Sequence, residues 1–197
     1  LGGTGKTSLS IKLNKILASK NLKSCYVKKY YKNQIDEQKI LENSGKLFLS
    51  SKRTDAIQEA ENQNYDIAIF DDGLQDKKID YDLKFVCFDA QNWVGNGCLI
   101  PSGPLREKID SLKKYDAVIL KQIHKHKDEE EIINKIRKID DKIKIFTSNY
   151  VPKNLKNFDL SKKYLIFSGI GNSNSFKEIL IKYNFNIVDE LIFPDHF

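Results

Sequence analysis

Near the start of the chain, Gly2-Gly3-Thr4-Gly5-Lys6-Thr7 supplies the residue types needed to hold a polyphosphate. Gly2, Gly3 and Gly5 let consecutive backbone N–H groups turn inward around phosphate oxygens. Lys6 reaches the β- and γ-phosphates, and the Thr7 hydroxyl is a ligand for Mg²⁺. A helix opening at this loop would aim its N-terminus, the positive end of its dipole, at the same anion. The first glycine of the usual G-x-x-x-x-G-K-[ST] spacing falls ahead of Leu1. A chance glycine-rich turn before a helix is the plain alternative.

A second group is Asp71-Asp72, which ends the apolar run Ile67-Ala68-Ile69-Phe70. A carboxylate at the C-terminal tip of a buried strand is where a Walker-B acid meets Mg²⁺, directly or through water. A single Asp there more often serves a turn. A pair followed by Gly73-Leu74-Gln75 is a less ordinary arrangement. The two groups together indicate an ATPase, GTPase or kinase. The sequence has no guanine-specifying Asn-Lys-x-Asp, so ATP with Mg²⁺ is the expected nucleotide.

These residues need strands and helices to position them. Leu9, Leu13, Ile16 and Leu17 recur at helical spacing, which predicts an amphipathic helix from Thr7 to about Lys20. Ser24–Lys28 reads as a short strand, and the stretch from Lys29 to Asn43 as irregular, then helical. Thr54–Asn62 reads as a helix with Thr54 as its cap. Ile67–Phe70, Lys84–Phe88, Ala117–Leu120 and Ile143–Phe146 are short apolar runs of the kind that form strands covered on both faces. Such strands alternating with helices specify an α/β protein, a P-loop NTPase-type doubly wound, mostly parallel sheet. Residues 1–150 would form the nucleotide-binding and catalytic domain, with Asn149–Asp159 as a linker. A smaller, partial α/β unit would occupy 160–197, with a strand at Tyr164–Phe167, a turn at Gly169-Ile170-Gly171 and a helix at about Ser175–Tyr183.

Composition narrows the function classes. The 197 residues are 40% hydrophobic and 30% charged, as in a globular protein, with a net charge of +6. That charge is nearly all lysine, since arginine stands only at positions 53, 106 and 137. A nucleic-acid reader would cluster Arg and aromatics, so no nucleic-acid partner is expected. The scattered lysines form a solvated surface or attract an anionic membrane face or a phosphorylated substrate. Cys25, Cys87 and Cys98 form no CxxC pair, which suits reduced thiols, and His124 and His126 have no cysteine nearby to make a zinc site. No apolar run is long enough to span a bilayer. The sequence contains no Met and opens on the phosphate loop. Both facts lead us to expect a chain lacking its N-terminal segment, and the ending at Phe197 reads as a second truncation.

Five motifs occur in register: Gly-Gly-Thr-Gly-Lys-Thr (2–7), Asp-Asp-Gly-Leu-Gln (71–75), Gly-Asn-Gly-Cys-Leu-Ile-Pro-Ser-Gly-Pro-Leu-Arg-Glu (95–107), Phe-Ser-Gly-Ile-Gly-Asn (167–172) and Phe-Pro-Asp-His (193–196). This series resembles the tetraacyldisaccharide 4'-kinases along the whole chain. The resemblance implies transfer of the ATP γ-phosphate to the 4'-hydroxyl of an acylated glucosamine disaccharide 1-phosphate. It places that reaction in lipid A synthesis, at the cytoplasmic face of the bacterial inner membrane. It also implies membrane contact through a segment preceding Leu1. Carried over by position, Lys6 and Thr7 hold phosphate and Mg²⁺, Gln75 contributes to the nucleotide site, and Asp71 and Asp72 are the Walker-B-like acids. Asp36, in the Asp36-Glu37 step, is the expected general base; a surface Asp-Glu opening a helix is the other reading. His196 matches the first His of the family's Asp-His-His ending, Phe197 departs at the second, and Asp76 stands where the family usually has His. Arg106, following Gly103-Pro104-Leu105, suits bidentate phosphate clamping, with a structural Arg106–Glu107 pair as the alternative. The competing function is a ParA/MinD-type switch ATPase, whose signature Lys before the paired glycines is replaced here by Leu1.

Overall fold

The computed structural model describes residues 3–32, 34–122, 128–170 and 172–194. Two compact units divide the chain, one of Gly5–Asp82 and one of Leu1–Thr4 with Leu83–Phe197.

The Gly5–Asp82 unit runs α1 (Lys6–Ala18), β1 (Ser24–Lys29), α2 (Ile35–Glu42), β2 (Leu47–Ser50), α3 (Arg53–Asn62) and β3 (Ile67–Phe70). Its sheet has the order β2-β1-β3 with both ladders parallel. The two-residue period of β1 decides what covers each face. Tyr26 joins Leu41 and Ile69 in a core with Ile11, Leu13 and Leu17 of α1. Cys25 and Val27 point the other way, into a core with Phe48 and with Ala56 and Ala60 of α3. Helices therefore lie on both faces of the sheet, which is the doubly wound arrangement.

The second unit contains β4 (Phe85–Asp89), a 3-10 turn (Ile109–Lys114), β5 (Ala117–Gln122), α4 (Asp128–Ile139) and β6 (Lys144–Asn149). A 3-10 turn (Leu155–Asn157), β7 (Lys163–Ser168), α5 (Ser173–Lys182) and β8 (Asn186–Ile192) follow. Strands β4-β5-β6 form one parallel sheet and β7-β8 a separate parallel pair. The core of the first sheet joins Val118 and Leu120 to Ile132 and Ile136 of α4 and to Leu112 and Ile143. Phe88 and Trp93 stack beside it with ring centroids 4.7 Å apart, as packing aromatics.

Three local expectations change. Strand β2 was not expected, because its apolar run is only Leu47-Phe48-Leu49 and ends in the polar Ser50-Ser51-Lys52, whereas β3 is apolar throughout. Helix α3 starts one residue before Thr54, after Lys52, and no side chain caps it. Thr54 thus lies inside the helix, its hydroxyl turned to Asp55 Oδ1 at 3.2 Å. In β6 only Ile143, just ahead of the strand, is deeply buried, and Phe146 is exposed. An edge strand packs against one neighbour and needs no apolar cover on both faces.

Candidate active site

The phosphate loop ends in the left-handed region at Gly5 (φ 90°, ψ 15°), a conformation glycine adopts without cost. Lys6 and Thr7 follow at once in the first turn of α1, which contains no acidic residue to compete for the helix N-terminus. Thr7 Oγ1 donates to Asp71 Oδ2 at 3.1 Å, and Lys6 Nζ stands 4.0 Å from Asp72 Oδ1. The two sequence motifs therefore meet within one unit, at the C-terminal edge of its parallel sheet.

Asp71 is buried, whereas Asp72 is partly exposed and sits in the left-handed region at φ 59°. Aspartate tolerates that backbone better than most residues do. The turn continues through Gly73, where an added Cβ would come within 2.9 Å of Phe70 Cβ and 3.0 Å of the Tyr81 hydroxyl. Tyr81 donates to the Gly73 carbonyl at 2.7 Å. Arg53 holds the same turn from α3, donating to the Asp72 carbonyl at 2.9 Å and to Asp76 Oδ2 at 3.2 Å. Asp76, at the position where histidine was the expected family residue, is thus the anion for Arg53. A backbone bond from Lys78, with help from Arg53, keeps its carboxyl below the usual aspartate range.

Lys28 of β1 was not singled out in the sequence. Its side chain is 1% exposed, and its ammonium donates to Glu37 Oε2 at 2.6 Å and to Asp71 Oδ2 at 2.9 Å. Burial works to neutralise it, but Asp71 and Glu37 outweigh that and hold its pKa above the ordinary lysine value. One signal was legible: a lysine occupies the inward phase set by Tyr26, where an apolar residue is expected.

The residues fit a hydrated Mg²⁺. Asp71 Oδ1 is buried and has no hydrogen-bond partner among the described residues, next to the Thr7 hydroxyl and with Asp72 adjoining. A hard cation completing its shell with water and phosphate oxygens would satisfy that oxygen. No group of three His, Cys, Asp or Glu is gathered among the described residues. Such a site would thus draw most of its ligands from outside the protein.

Asp36 lies in the first turn of α2 and is exposed, immediately before the Glu37 that Lys28 binds. Gln75 is exposed on the turn after Asp72. The other expected residues belong to the second unit. There the Gly3 carbonyl accepts a 2.7 Å bond from Lys121 Nζ, and Lys121 forms a buried pair with Asp89 at 2.7 Å. Arg106 is exposed, in a loop whose Gly103 has no room for a Cβ against Cys98 O at 2.4 Å. Glu107 hydrogen-bonds Tyr115; burial, then Glu107, push that phenol up to about 12. Gly2, Gly171 and His196 lie outside the described residues.

Comparison with known proteins is decisive for the family. The chain matches the LpxK family, tetraacyldisaccharide-1-P 4'-kinase, over residues 1–197. It belongs to that family. A tetraacyldisaccharide 4'-kinase of Pelagibacter ubique (strain HTCC1062) is 48% identical over 200 residues, covering all of this chain and 62% of the relative. Proteins of the same name from Rickettsia akari (strain Hartford) and Rickettsia conorii (strain ATCC VR-613 / Malish 7) are each 32% identical. They cover the whole chain and 63% and 64% of their own lengths. The chain therefore spans just under two thirds of the relatives it matches. Membership in a kinase family does not favour the switch-ATPase reading.

Proposed function

We propose that the protein is a phosphotransferase carrying the γ-phosphate of ATP to the 4'-hydroxyl of a tetraacylated glucosamine disaccharide 1-phosphate, a step of lipid A synthesis. The observation that carries this reading is the join of the Lys6-Thr7 turn to the Asp71-Asp72 turn through Thr7 and Asp71, in a chain of the 4'-kinase family.

The backbone of Gly2, Gly3, Thr4 and Gly5 holds the β- and γ-phosphates, and the Lys6 ammonium neutralises charge that grows on them during transfer. Thr7, Asp71 and Asp72 would hold Mg²⁺, which when bound would supply electrostatic stabilisation of the phosphate oxygens. Asp36 orients the acceptor hydroxyl and accepts its proton as the oxygen attacks phosphorus. In the same reading His196 takes an acid–base part, Arg106 clamps phosphate through its planar guanidinium, and Gln75 takes part in nucleotide binding. In this reading residues 1–150 act as the nucleotide-binding and catalytic domain and 160–197 as a further α/β portion with its own β7-β8 sheet, whereas the compact units divide after Asp82.

The substrate's acyl chains would hold it in a membrane, and the cytoplasmic face of the bacterial inner membrane is the proposed place of reaction. None of the described helices is long and apolar enough to cross a membrane. Nucleic acid has no part in the activity.

The test is ATP turnover by the intact protein with the acylated disaccharide phosphate, with DNA, or with neither. Acceptor-dependent, Mg²⁺-dependent formation of a 4'-phosphorylated product is expected. Turnover unaffected by the acceptor, or stimulated by DNA, would overturn the assignment. Asp36→Ala should then lower kcat strongly with little change in the KM for ATP. An Asp36→Ala enzyme with most of its kcat would return Asp36 to the surface reading.

A further inference from the structure

Lys28 is a charge where β1 should be apolar. The register Val27↔Phe70 sets it level with Asp71, the first residue beyond β3. Its phase along the strand turns it to the same face as Tyr26, the face covered by α1 and α2. Moving an ammonium into that position carries a large desolvation penalty, and a well-packed hydrophobic residue often serves stability as well. What the lysine does that a hydrophobic residue would not is join two carboxylates on different elements. Glu37 belongs to the first turn of α2, and Asp71 to the turn after β3.

The geometry points to Lys28 as a positioning residue for phosphoryl transfer, an inference that rests on the kinase reading above. Lys28 and Thr7 both donate to Asp71 Oδ2, which fixes the carboxylate and leaves Oδ1 as its open acceptor. The same ammonium tethers Glu37, and with it the turn of α2 that bears Asp36. One buried cation thus sets the orientation of the metal-side carboxylate and the station of the expected base. Removing it would disturb both, whereas removing Glu37 would release only the helix.

The experiment measures, in the intact protein, binding of a fluorescent ATP analogue with and without Mg²⁺, alongside kcat, KM and thermal stability. Lys28→Met should shrink the Mg²⁺-dependent gain in nucleotide affinity and lower kcat, each by about 10- to 100-fold, the usual cost of losing an outer-shell partner. Metal-free nucleotide binding should hold, because Lys6 and the glycine loop are intact. Lys28→Arg should recover part of both losses. Glu37→Ala should lower kcat while leaving the Mg²⁺ gain and the KM for ATP near wild type.

A folded Lys28→Met protein with wild-type Mg²⁺ gain and kcat would overturn the proposal. If that variant does not fold, Glu37→Ala decides, since its side chain is 32% exposed and its loss tests the tether directly. A Glu37→Ala kcat equal to wild type then removes the proposal. Failure of wild-type protein to phosphorylate the acylated acceptor would strike the kinase reading instead, and the Mg²⁺ gain in binding would still report on Lys28.

Discussion

Thr7 Oγ1 and Asp71 Oδ2 are 3.1 Å apart, a hydrogen bond between residues 64 positions distant that closes the phosphate loop onto the end of β3. Strands β1 and β3 run parallel, β1 reaching two residues past the partner of Phe70, so the α1 start and the strand ends converge on one edge of the sheet. That edge is where a nucleotide's phosphates would be gripped. Lys6 shares the first turn of α1 with Thr7 and makes its charge available on the same side.

Lys6→Ala should therefore abolish phosphoryl transfer while the protein keeps its fold. The ammonium acts on charge that develops in the transition state, and losing a group of that kind costs about 10²–10³-fold in kcat. The residue's side chain is 35% exposed, so little packing is lost. Steady-state kinetics with circular dichroism would check both halves. A folded variant with wild-type turnover would remove the P-loop reading.

The sequence revealed the parts of this site that are local. A glycine loop followed by a 3.6-residue apolar period marks α1, and an apolar run ending in two aspartates marks β3 and its turn. It did not reveal Lys28–Asp71–Glu37 or Arg53–Asp76, because those pairings depend on which strands become neighbours and in what register. Arg53 is one of only three arginines, but Arg106, in its Gly-Pro-Leu-Arg-Glu setting, carries the stronger local signal. Thr54 has the right type for a cap, but the Arg53 bonds to Asp72 O and Asp76 hold the helix start one residue earlier.

Asp76, bonded by the Lys78 N–H and then by Arg53, gives a pH dependence with a definite sign. The folded carboxyl of Asp76 titrates below its unfolded value, so its contribution is present above the ordinary aspartate pKa of about 3.9. It is lost as pH falls through the lower folded value. Denaturant titrations from neutral pH into acid should show wild type losing stability faster than Asp76→Asn at the acid end. Parallel acid limbs for the two proteins would show that the Asp76 charge, with its Lys78 and Arg53 bonds, contributes nothing.

The cysteines should separate cleanly by reactivity. Cys25 is fully buried on β1, and burial pushes its thiol up to about 11 even though Lys23 and Lys46 act in the opposite direction. Cys98 is exposed. Because the thiolate is the nucleophile, a soluble alkylating reagent at neutral pH should modify Cys98 promptly and Cys25 only on unfolding. Mass spectrometry of the timed reaction would assign the sites, and early labelling of Cys25 would contradict its placement in the α3-side core.

Asp71 and Asp72 are neighbours with different surroundings, and their amides should fail differently. Asp71 is buried against Lys28 and Thr7, so Asp71→Asn removes half of the negative charge that faces the Lys28 ammonium. That change should cost roughly 1–3 kcal/mol of stability as well as Mg²⁺ response, because the buried Lys28 keeps Glu37 as an anion but loses the charge of Asp71. Asp72 is partly exposed, and its left-handed backbone suits asparagine as well as aspartate. Asp72→Asn should therefore leave the fold nearly unchanged and act on catalysis alone. Titrating Mg²⁺ at fixed ATP should displace the midpoint further for Asp71→Asn, whose open Oδ1 is the buried acceptor, than for Asp72→Asn. Equal midpoints for both variants and wild type would mean that neither carboxylate faces the metal, and the Walker-B assignment would fall.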